Sequence, residues 1–507
     1  MAEIALEMRG ITKTFGNTVA NKDVNLTVYK GEILSLLGEN GSGKTTLMNM
    51  ISGIYHPDAG EIFVYGKEVQ IRGPKDAYEN RIGMVHQHFK LIDVFTAAEN
   101  VALGIENEKF NLKDTAARVQ EIADRYGFDF KPQQKVYDMS VSQKQSLEII
   151  KQLYRGCDIL ILDEPTAVLT PQETDRLFAV IRNMKADGKS IIIITHKLHE
   201  VMAVSDRVAI LRKGEFIASV NTAMTTETEL TEMMVGKKVE LNIERPDRKN
   251  RALRIKVENL TCKNSEGITA LDDVSFTAFG GEILGIAGIS GCGQKELLEA
   301  IAGLQKCEAP SSITYFPPEG GEISLVGKNP KKIRDMGIAL SFVPEDRLGM
   351  GLVGTMGMTD NMLLKKYKKG RGVFVSKKES KELAEDIVEE LEVKTPGLQT
   401  PLRLLSGGNI QKVLVGREIA ADPSVLLTAY AVRGLDINTS YTIYDMLNEQ
   451  KEKGVAVIYV GEDLDVLLAL CDRILVLCGG RVSDVVDARS VTKEEVGLLM
   501  TSIKKGA

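Results

Sequence analysis

Gly38-Glu39-Asn40-Gly41-Ser42-Gly43-Lys44-Thr45 stands between an apolar run, Ile33 to Leu37, and a segment of helical character, Thr46 to Ile51. The pattern is G-x-x-x-x-G-K-[ST] in a strand, loop, helix setting. Glycines let successive backbone N–H groups turn toward one anion, and the start of the following helix adds its own unpaired N–H groups. Lys44 is placed to reach the β- and γ-phosphates of a nucleotide, and the hydroxyl of Thr45 suits Mg²⁺. The stretch predicts a nucleotide-binding phosphate loop between a strand and a helix.

Working outward, Ile159 to Leu162 reads as a buried strand that ends in Asp163-Glu164-Pro165-Thr166. Two carboxylates at a strand end suit a Mg²⁺ partner, Asp163, followed by a base that polarises water, Glu164. Ile191 to Ile194 is another such strand, and it delivers Thr195-His196. A lone histidine is usually structural, but beside a phosphate loop His196 could contact a γ-phosphate and the attacking water. Gln87, in Gly83-Met84-Val85-His86-Gln87-His88, follows a third strand and by itself is uninformative.

The pattern around the loop occurs twice. Leu6 to Gly10, Val24 to Tyr29 and Lys30-Gly31-Glu32-Ile33-Leu34 have counterparts in Val257 to Thr261, Val274-Ser275-Phe276 and Gly280-Gly281-Glu282-Ile283-Leu284. At an offset of 288 − 38 = 250, Gly288 stands opposite Gly38 and Gly293 opposite Gly43. Residues 56–62 (HPDAGEI) and 316–323 (FPPEGGEI) continue the register after an insertion near 308–318. Two copies of one domain are expected in one chain. The boundaries are read as 1–240 and 252–507, joined by a charged linker over 241–251 that has a proline and no apolar face. Each copy alternates apolar strands with helical stretches, so each predicts a mainly parallel sheet. Residues 96–156 and 359–417 show helical periodicity without strong strands and predict a helical subdomain in each copy.

The totals agree with this division. A chain of 507 residues is too long for one core. Its 64 basic and 70 acidic residues leave a net charge of −6, with no basic footprint for nucleic acid. The six cysteines show no CxxC spacing, which fits a reducing compartment. No apolar run approaches the ~20 residues needed to cross a bilayer, and the N-terminus lacks a basic stretch followed by an apolar core. A cytoplasmic protein without direct membrane insertion is expected, its membrane role coming through partner chains.

In the second copy, Leu405-Ser406-Gly407-Gly408-Asn409-Ile410-Gln411-Lys412 opens a helix with serine and glycine, an anion site at a helix N-terminus. LSGGN is close to the LSGGQ signature. With it, the chain resembles the ATP-binding-cassette (ABC) ATPases over essentially its full length, as two tandem P-loop NTPase domains. The phosphate loop, Gln87, Asp163-Glu164 and His196 follow in the family's order, and the second copy keeps the family's D-loop as Gly434-Leu435-Asp436. The resemblance implies ATP contacts at Phe15, Gly38, Asn40, Gly41, Ser42, Gly43, Lys44, Thr45 and Thr46, with Phe15 stacking on adenine. It implies Mg²⁺ held by Thr45, Gln87 and Asp163, and catalytic roles for Lys44, Gln87, Glu164 and His196.

ABC cassettes pair head to tail, so the resemblance also implies that Ser406, Gly407 and Gly408 complete the site whose phosphate loop is in the first copy. In the second copy Gln294 stands for Lys44, Lys295 for Thr45, Glu345 for Gln87, Ala429-Tyr430 for Asp163-Glu164 and Glu462 for His196. Conversely the first signature reads Met139-Ser140-Val141-Ser142-Gln143, with both glycines lost. Intact parts sort into one composite site and damaged parts into the other, so one hydrolytic site per chain is expected. Val343-Pro344-Glu345-Asp346-Arg347 and Ala167-Val168-Leu169-Thr170-Pro171-Gln172-Glu173 resemble the bacterial importers of simple sugars and nucleosides. His86-Gln87-His88-Phe89 is more like the nucleoside branch than the ribose branch. Ser142-Gln143 and Ala429-Tyr430-Ala431-Val432 depart from the pattern of most relatives. The implied partners are two membrane permease subunits and an extracytoplasmic substrate-binding lipoprotein, with this chain at the cytoplasmic face of the membrane. A soluble twin-cassette translation factor is the alternative, but those usually carry a longer charged linker and two competent sites.

Overall fold

Strands buried on both faces read as continuous apolar runs, and in the computed structural model Ile33–Leu37, Ile159–Asp163 and Ser190–Ile194 are buried at every position. The structure describes residues 3–16, 18–87, 89–104, 111–236, 243–247, 252–264, 267–289, 291–366 and 376–502. The chain divides into two compact units, Met1–Glu240 and Leu241–Ala507.

In the first unit a six-stranded sheet runs in the order Glu215–Asn221, Arg207–Arg212, Ile33–Leu37, Ser190–Ile194, Ile159–Asp163, Ile82–Val85. All pairings are parallel except that of Glu215–Asn221 with Arg207–Arg212. Successive side chains alternate between faces. Leu34, Leu36, Ile159, Ile161, Ile192 and Ile194 therefore pack with the helix Lys44–Ile51 and a four-stranded antiparallel sheet built on Ile4–Phe15. Leu160, Leu162, Ile191 and Ile193 pack on the opposite side with the helices Leu112–Tyr126 and Val141–Tyr154. The expected helical subdomain is thus present, and its helix Ala97–Ala102 starts at a capping box of Thr96 and Glu99.

The second unit repeats the strand order: Arg481–Asp487, Arg473–Cys478, Glu282–Gly288, Ala456–Val460, Val425–Ala429, Leu340–Val343. Its helices Met358–Lys366, Lys378–Glu390 and Gly407–Ile419 form the corresponding helical part. Sheet register sets residue equivalences independently of sequence spacing. Asp163 pairs with Ile194 and Ala429 with Val460, so Tyr430 takes the place of Glu164 and Glu462 that of His196. Leu36 pairs with Ile194 and Ile286 with Val460, which puts Gln294 at the position of Lys44.

Part of the segment expected as a linker is tied to the second unit. Arg245 donates to the carbonyls of Leu468 and Cys471 at 3.0 and 2.6 Å, and Lys451 donates to the carbonyl of Pro246 at 2.5 Å. Asp247 pairs with Arg489 at 2.6 Å.

Candidate functional site

The phosphate loop lies between the buried strand Ile33–Leu37 and the helix Lys44–Ile51, whose N-cap Gly43 has φ 95°. A side chain is strained there twice over: the backbone is left-handed, and a Cβ would lie 2.6 Å from Nδ2 of Asn21 and closer still to the carbonyl oxygen of Ala20. Asn21, fully buried, donates to the Gly43 carbonyl at 3.3 Å. It fixes the loop from the second strand, a role that no motif spacing announces. A Cβ at Gly38 would collide with the Leu211 carbonyl and the Ser42 hydroxyl.

Lys44 is buried and donates to the carbonyls of Gly38 at 2.6 Å and Glu39 at 2.9 Å, folding back over its own loop. Burial lowers its pKa, against the raising influence of Glu164, Asp163 and Glu39. The hydroxyl of Ser42 is buried without a hydrogen-bond partner in the protein. A buried hydroxyl so left needs an acceptor or donor from outside, and a phosphate oxygen would supply one.

Asp163 is buried at the end of its strand, and its carboxyl is pushed up to about 6 by burial and the neighbouring Glu164, against the pull of Lys44 and a hydrogen bond with Thr45. A buried carboxylate held this close to a second one is short of positive charge. The pair of Thr45 hydroxyl and Asp163 carboxylate, both hard oxygen donors, fits Mg²⁺. Glu164 sits in left-handed backbone at φ 50°, its N–H donating to the Ile194 carbonyl at 2.9 Å. Its carboxylate meets Nδ1 of His196 at 2.9 Å. Burial disfavours charge on His196, but the hydrogen bond and charge of Glu164 outweigh it and hold the imidazole above its ordinary pKa. Behind the acidic pair, Thr166 donates to Glu200 at 2.6 Å and Lys197 donates to the Thr166 carbonyl at 3.2 Å, pinning the turn to the next helix.

Lys44, Thr45, Asp163, Glu164 and His196 thus come together at the carboxyl ends of three adjacent strands. Gln87 is exposed, two residues past the end of Ile82–Val85. Phe15 ends the first strand with its ring 44% exposed, a usable stacking face, and Tyr55 packs edge-on at 5.2 Å. Asp58 accepts from Lys13 and from both the N–H and hydroxyl of Thr14, which hold its carboxyl down at about 2 and fix the strand end before Phe15. Tyr55 and Asp58 had no signal in the sequence.

The second unit keeps the loop's shape with different side chains. Gly293 has φ 96°, and the side chain of Gln294 donates to the Ile289 carbonyl at 3.1 Å where Lys44 carries charge. Tyr430, in place of Glu164, has φ 54°, and burial, first, pushes its hydroxyl up to about 12. Ser406 caps the helix Gly407–Ile419, its side chain accepting from Asn409.

A phosphate loop opening a helix, an acidic pair at the end of another strand of the same sheet, and the same architecture repeated with altered side chains define a nucleotide-binding protein of two P-loop domains. The sequence profile described as "ABC transporter" matches residues 21–167 and 271–428. The guanosine import ATP-binding protein NupO of Bacillus subtilis (strain 168) is 43% identical over 98% of this chain and 97% of its own. The nucleoside import ATP-binding protein NupA of Lactococcus lactis subsp. cremoris (strain MG1363) is 40% identical over 98% of each chain. The ribose import ATP-binding protein RbsA 1 of Rubrobacter xylanophilus is 36% identical over 99% of each. The chain belongs to the ABC transporter family and is one of its ATP-binding ATPases, with both cassettes in a single polypeptide.

Proposed function

We propose that the chain is the ATP-hydrolysing subunit of an importer, most closely fitted to nucleosides. The observation that carries this is identity along nearly the whole chain to two nucleoside-import ATP-binding proteins, at 43% and 40%. Among the described residues no helix is long and apolar enough to cross a membrane. The pathway would therefore be supplied by two permease subunits, with this chain docked at their cytoplasmic side and an extracytoplasmic binding protein presenting the substrate.

In this reading the adenine stacks on Phe15, the loop amides from Gly38 to Thr46 and the Lys44 ammonium hold the phosphates, and Asn40 and Ser42 contribute polar contacts. Mg²⁺, held by Thr45 and Asp163 with Gln87, supplies charge neutralisation at the phosphates. Glu164 accepts a proton from the water that attacks the γ-phosphorus, and His196, hydrogen-bonded to Glu164, orients the carboxylate and contacts the γ-phosphate. Hydrolysis at this loop depends on Ser406, Gly407 and Gly408 of the second copy, and the second loop, with Gln294, Lys295 and Tyr430, does not hydrolyse.

The test is Glu164→Gln in the complete importer, read as ATPase and as uptake of labelled nucleoside. Both should fall by about 10²–10⁴-fold, the usual weight of a positioned base, while ATP still binds. Ordinary uptake by this variant would overturn the reading. A simple-sugar importer is the second reading, favoured by the ribose-import relative at 36% identity. Uptake of labelled ribose without nucleoside uptake would establish it instead.

A further inference from the structure

The segment Val343-Pro344-Glu345-Asp346-Arg347 leaves the edge strand of the second unit's sheet, and its side chains reach two other loops of that unit. Arg347 donates through Nη1 to the Gly407 carbonyl at 2.9 Å and through Nη2 to the Arg433 carbonyl at 2.5 Å. One planar guanidinium thus spans the turn that opens the signature helix and the loop that follows the strand Val425–Ala429. Asp346 accepts from the Gly349 N–H at 2.8 Å and fixes the turn that presents Arg347. Glu345 receives Nη1 of Arg433 at 2.8 Å, and Nε of Arg433 lies 3.2 Å from Glu462, with its guanidinium 5.7 Å from the Tyr430 ring. Three of these positions, 345, 430 and 462, are the counterparts of Gln87, Glu164 and His196.

The glycines around this cluster are shaped by it. A Cβ at Gly407 would stand 2.9 Å from Nη1 of Arg347, and a Cβ at Gly408 would stand 3.3 Å from the Gly434 carbonyl. Carried past the strand ends, the same register gives the first unit Phe89 in place of Arg347 and Ala167 in place of Arg433, and its signature sequence has Val141 and Ser142 in place of the two glycines. Within one chain, the half that keeps the glycines keeps the arginines, and the half that lost the glycines lacks them.

We propose that Arg347 is a positioning residue for ATP hydrolysis: with Arg433 anchored between Glu345 and Glu462, it clamps the Ser406–Gly408 turn in the geometry that hydrolysis at the Lys44 loop requires. Glu345 and Glu462, which stand where the first unit has Gln87 and His196, are the anchor of this clamp. The role rests on the reading that the second copy's signature acts on the nucleotide held by the first.

Two measurements test it, one of which does not need hydrolysis. In the nucleotide-free full chain, Arg347→Ala should speed amide exchange across residues 404–409 by at least about tenfold, the scale of losing one charge-assisted hydrogen bond. In the importer with its permeases, Arg347→Ala should lower kcat by at least about tenfold with KM for ATP within about twofold, and Arg347→Lys, whose single ammonium cannot span both carbonyls in one plane, should recover only part. Millimolar methylguanidinium, filling the vacated position, should raise kcat of Arg347→Ala and slow the exchange again, with no effect on the unmodified protein. Unchanged exchange in Arg347→Ala, or a loss of kcat that neither methylguanidinium nor Arg347→Lys recovers, would overturn the clamp. Faster exchange reversed by methylguanidinium with kcat unaltered would leave the clamp in place and overturn the reading that the Ser406–Gly408 turn serves hydrolysis.

Discussion

Replacing Asp163 by Asn is expected to stabilise the metal-free, nucleotide-free protein while abolishing hydrolysis. The carboxyl of Asp163 is buried beside Glu164 and is raised from 3.8 to about 6, even with Lys44 and the Thr45 hydroxyl acting in its favour. A carboxyl whose folded pKa lies above its unfolded pKa binds its proton more tightly in the folded state. Its contribution to stability is therefore fully present below about pH 4, is lost as pH rises toward 6, and stays lost above. The interval from 3.8 to about 6 is worth up to about 3 kcal/mol at 1.36 kcal/mol per pH unit. Asn is close to isosteric, keeps an oxygen to accept from Thr45, and has no charge to desolvate. In a unit spanning Met1–Glu240, 1 kcal/mol moves Tm by about 2–4 °C, so the variant should melt up to about 10 °C higher at pH 8.

Calorimetry in EDTA, comparing the two proteins between pH 4 and 8, reads the difference directly and cancels the titration of all other carboxylates. The gap should be small at pH 4, widen to pH 6 and then level off. Adding Mg²⁺ and ATP should reverse the order, since only the native carboxylate gains its counter-charge and ligand binding stabilises what it binds. A gap that is flat with pH, or an Asn variant that melts lower in EDTA at pH 8, would refute the argument that Asp163 is a carboxylate waiting for a cation.

Gly43→Ala forces a Cβ against Asn21 at φ 95° and should cost about 1–3 kcal/mol of stability, seen as a lower Tm, together with loss of ATP binding by fluorescence titration. Lys451→Met should destabilise the second unit in urea unfolding, by up to about 3–5 kcal/mol, because it removes the ammonium that pairs at 3.0 Å with the fully buried carboxylate of Asp472. Gly408→Glu should collapse ATPase activity in the importer through charge and volume at the helix N-terminus, whereas Ser142→Glu in the damaged first signature should lower it only modestly. Equal and severe losses from both would sink the one-site expectation.

The fold was legible because its decisive strands are buried on both faces. Ile159 to Leu162 and Ile191 to Ile194 admit no polar residue, and the phosphate loop between an apolar run and a helix needs no long-range knowledge to recognise. What spacing could not supply is adjacency: Ile33–Leu37 lies between Ser190–Ile194 and Arg207–Arg212, strands more than 150 residues away in sequence, and only that order brings Glu164 and His196 toward Lys44. Asn21, Tyr55 and Asp58 were invisible for the same reason, each acting on a neighbour that the chain reaches by folding. The charged run after residue 240 misled in a different way. Its composition is that of a solvated linker, but Arg245 and Asp247 spend their charge on partners in the second unit, and composition alone does not distinguish solvation by water from solvation by a protein surface.

The two acidic-pair turns separate what the backbone holds from what the side chain does. Glu164 at φ 50° and Tyr430 at φ 54° both occupy left-handed backbone, and both donate an N–H at 2.9 Å to the last residue of the neighbouring strand, Ile194 and Val460. For a residue with a Cβ such a conformation costs about 1–3 kcal/mol. If that strain were maintained only to aim a catalytic carboxylate, it would have no reason to persist where the carboxylate has become a phenol with a pKa of about 12. It persists because the hydrogen bond across the sheet and the buried strand before it impose the turn whatever side chain follows. The strained backbone is therefore a property of the cassette architecture, and what differs between the units is the side chain it presents: a carboxylate beside His196 in the first, and a tyrosine beside Arg433 in the second.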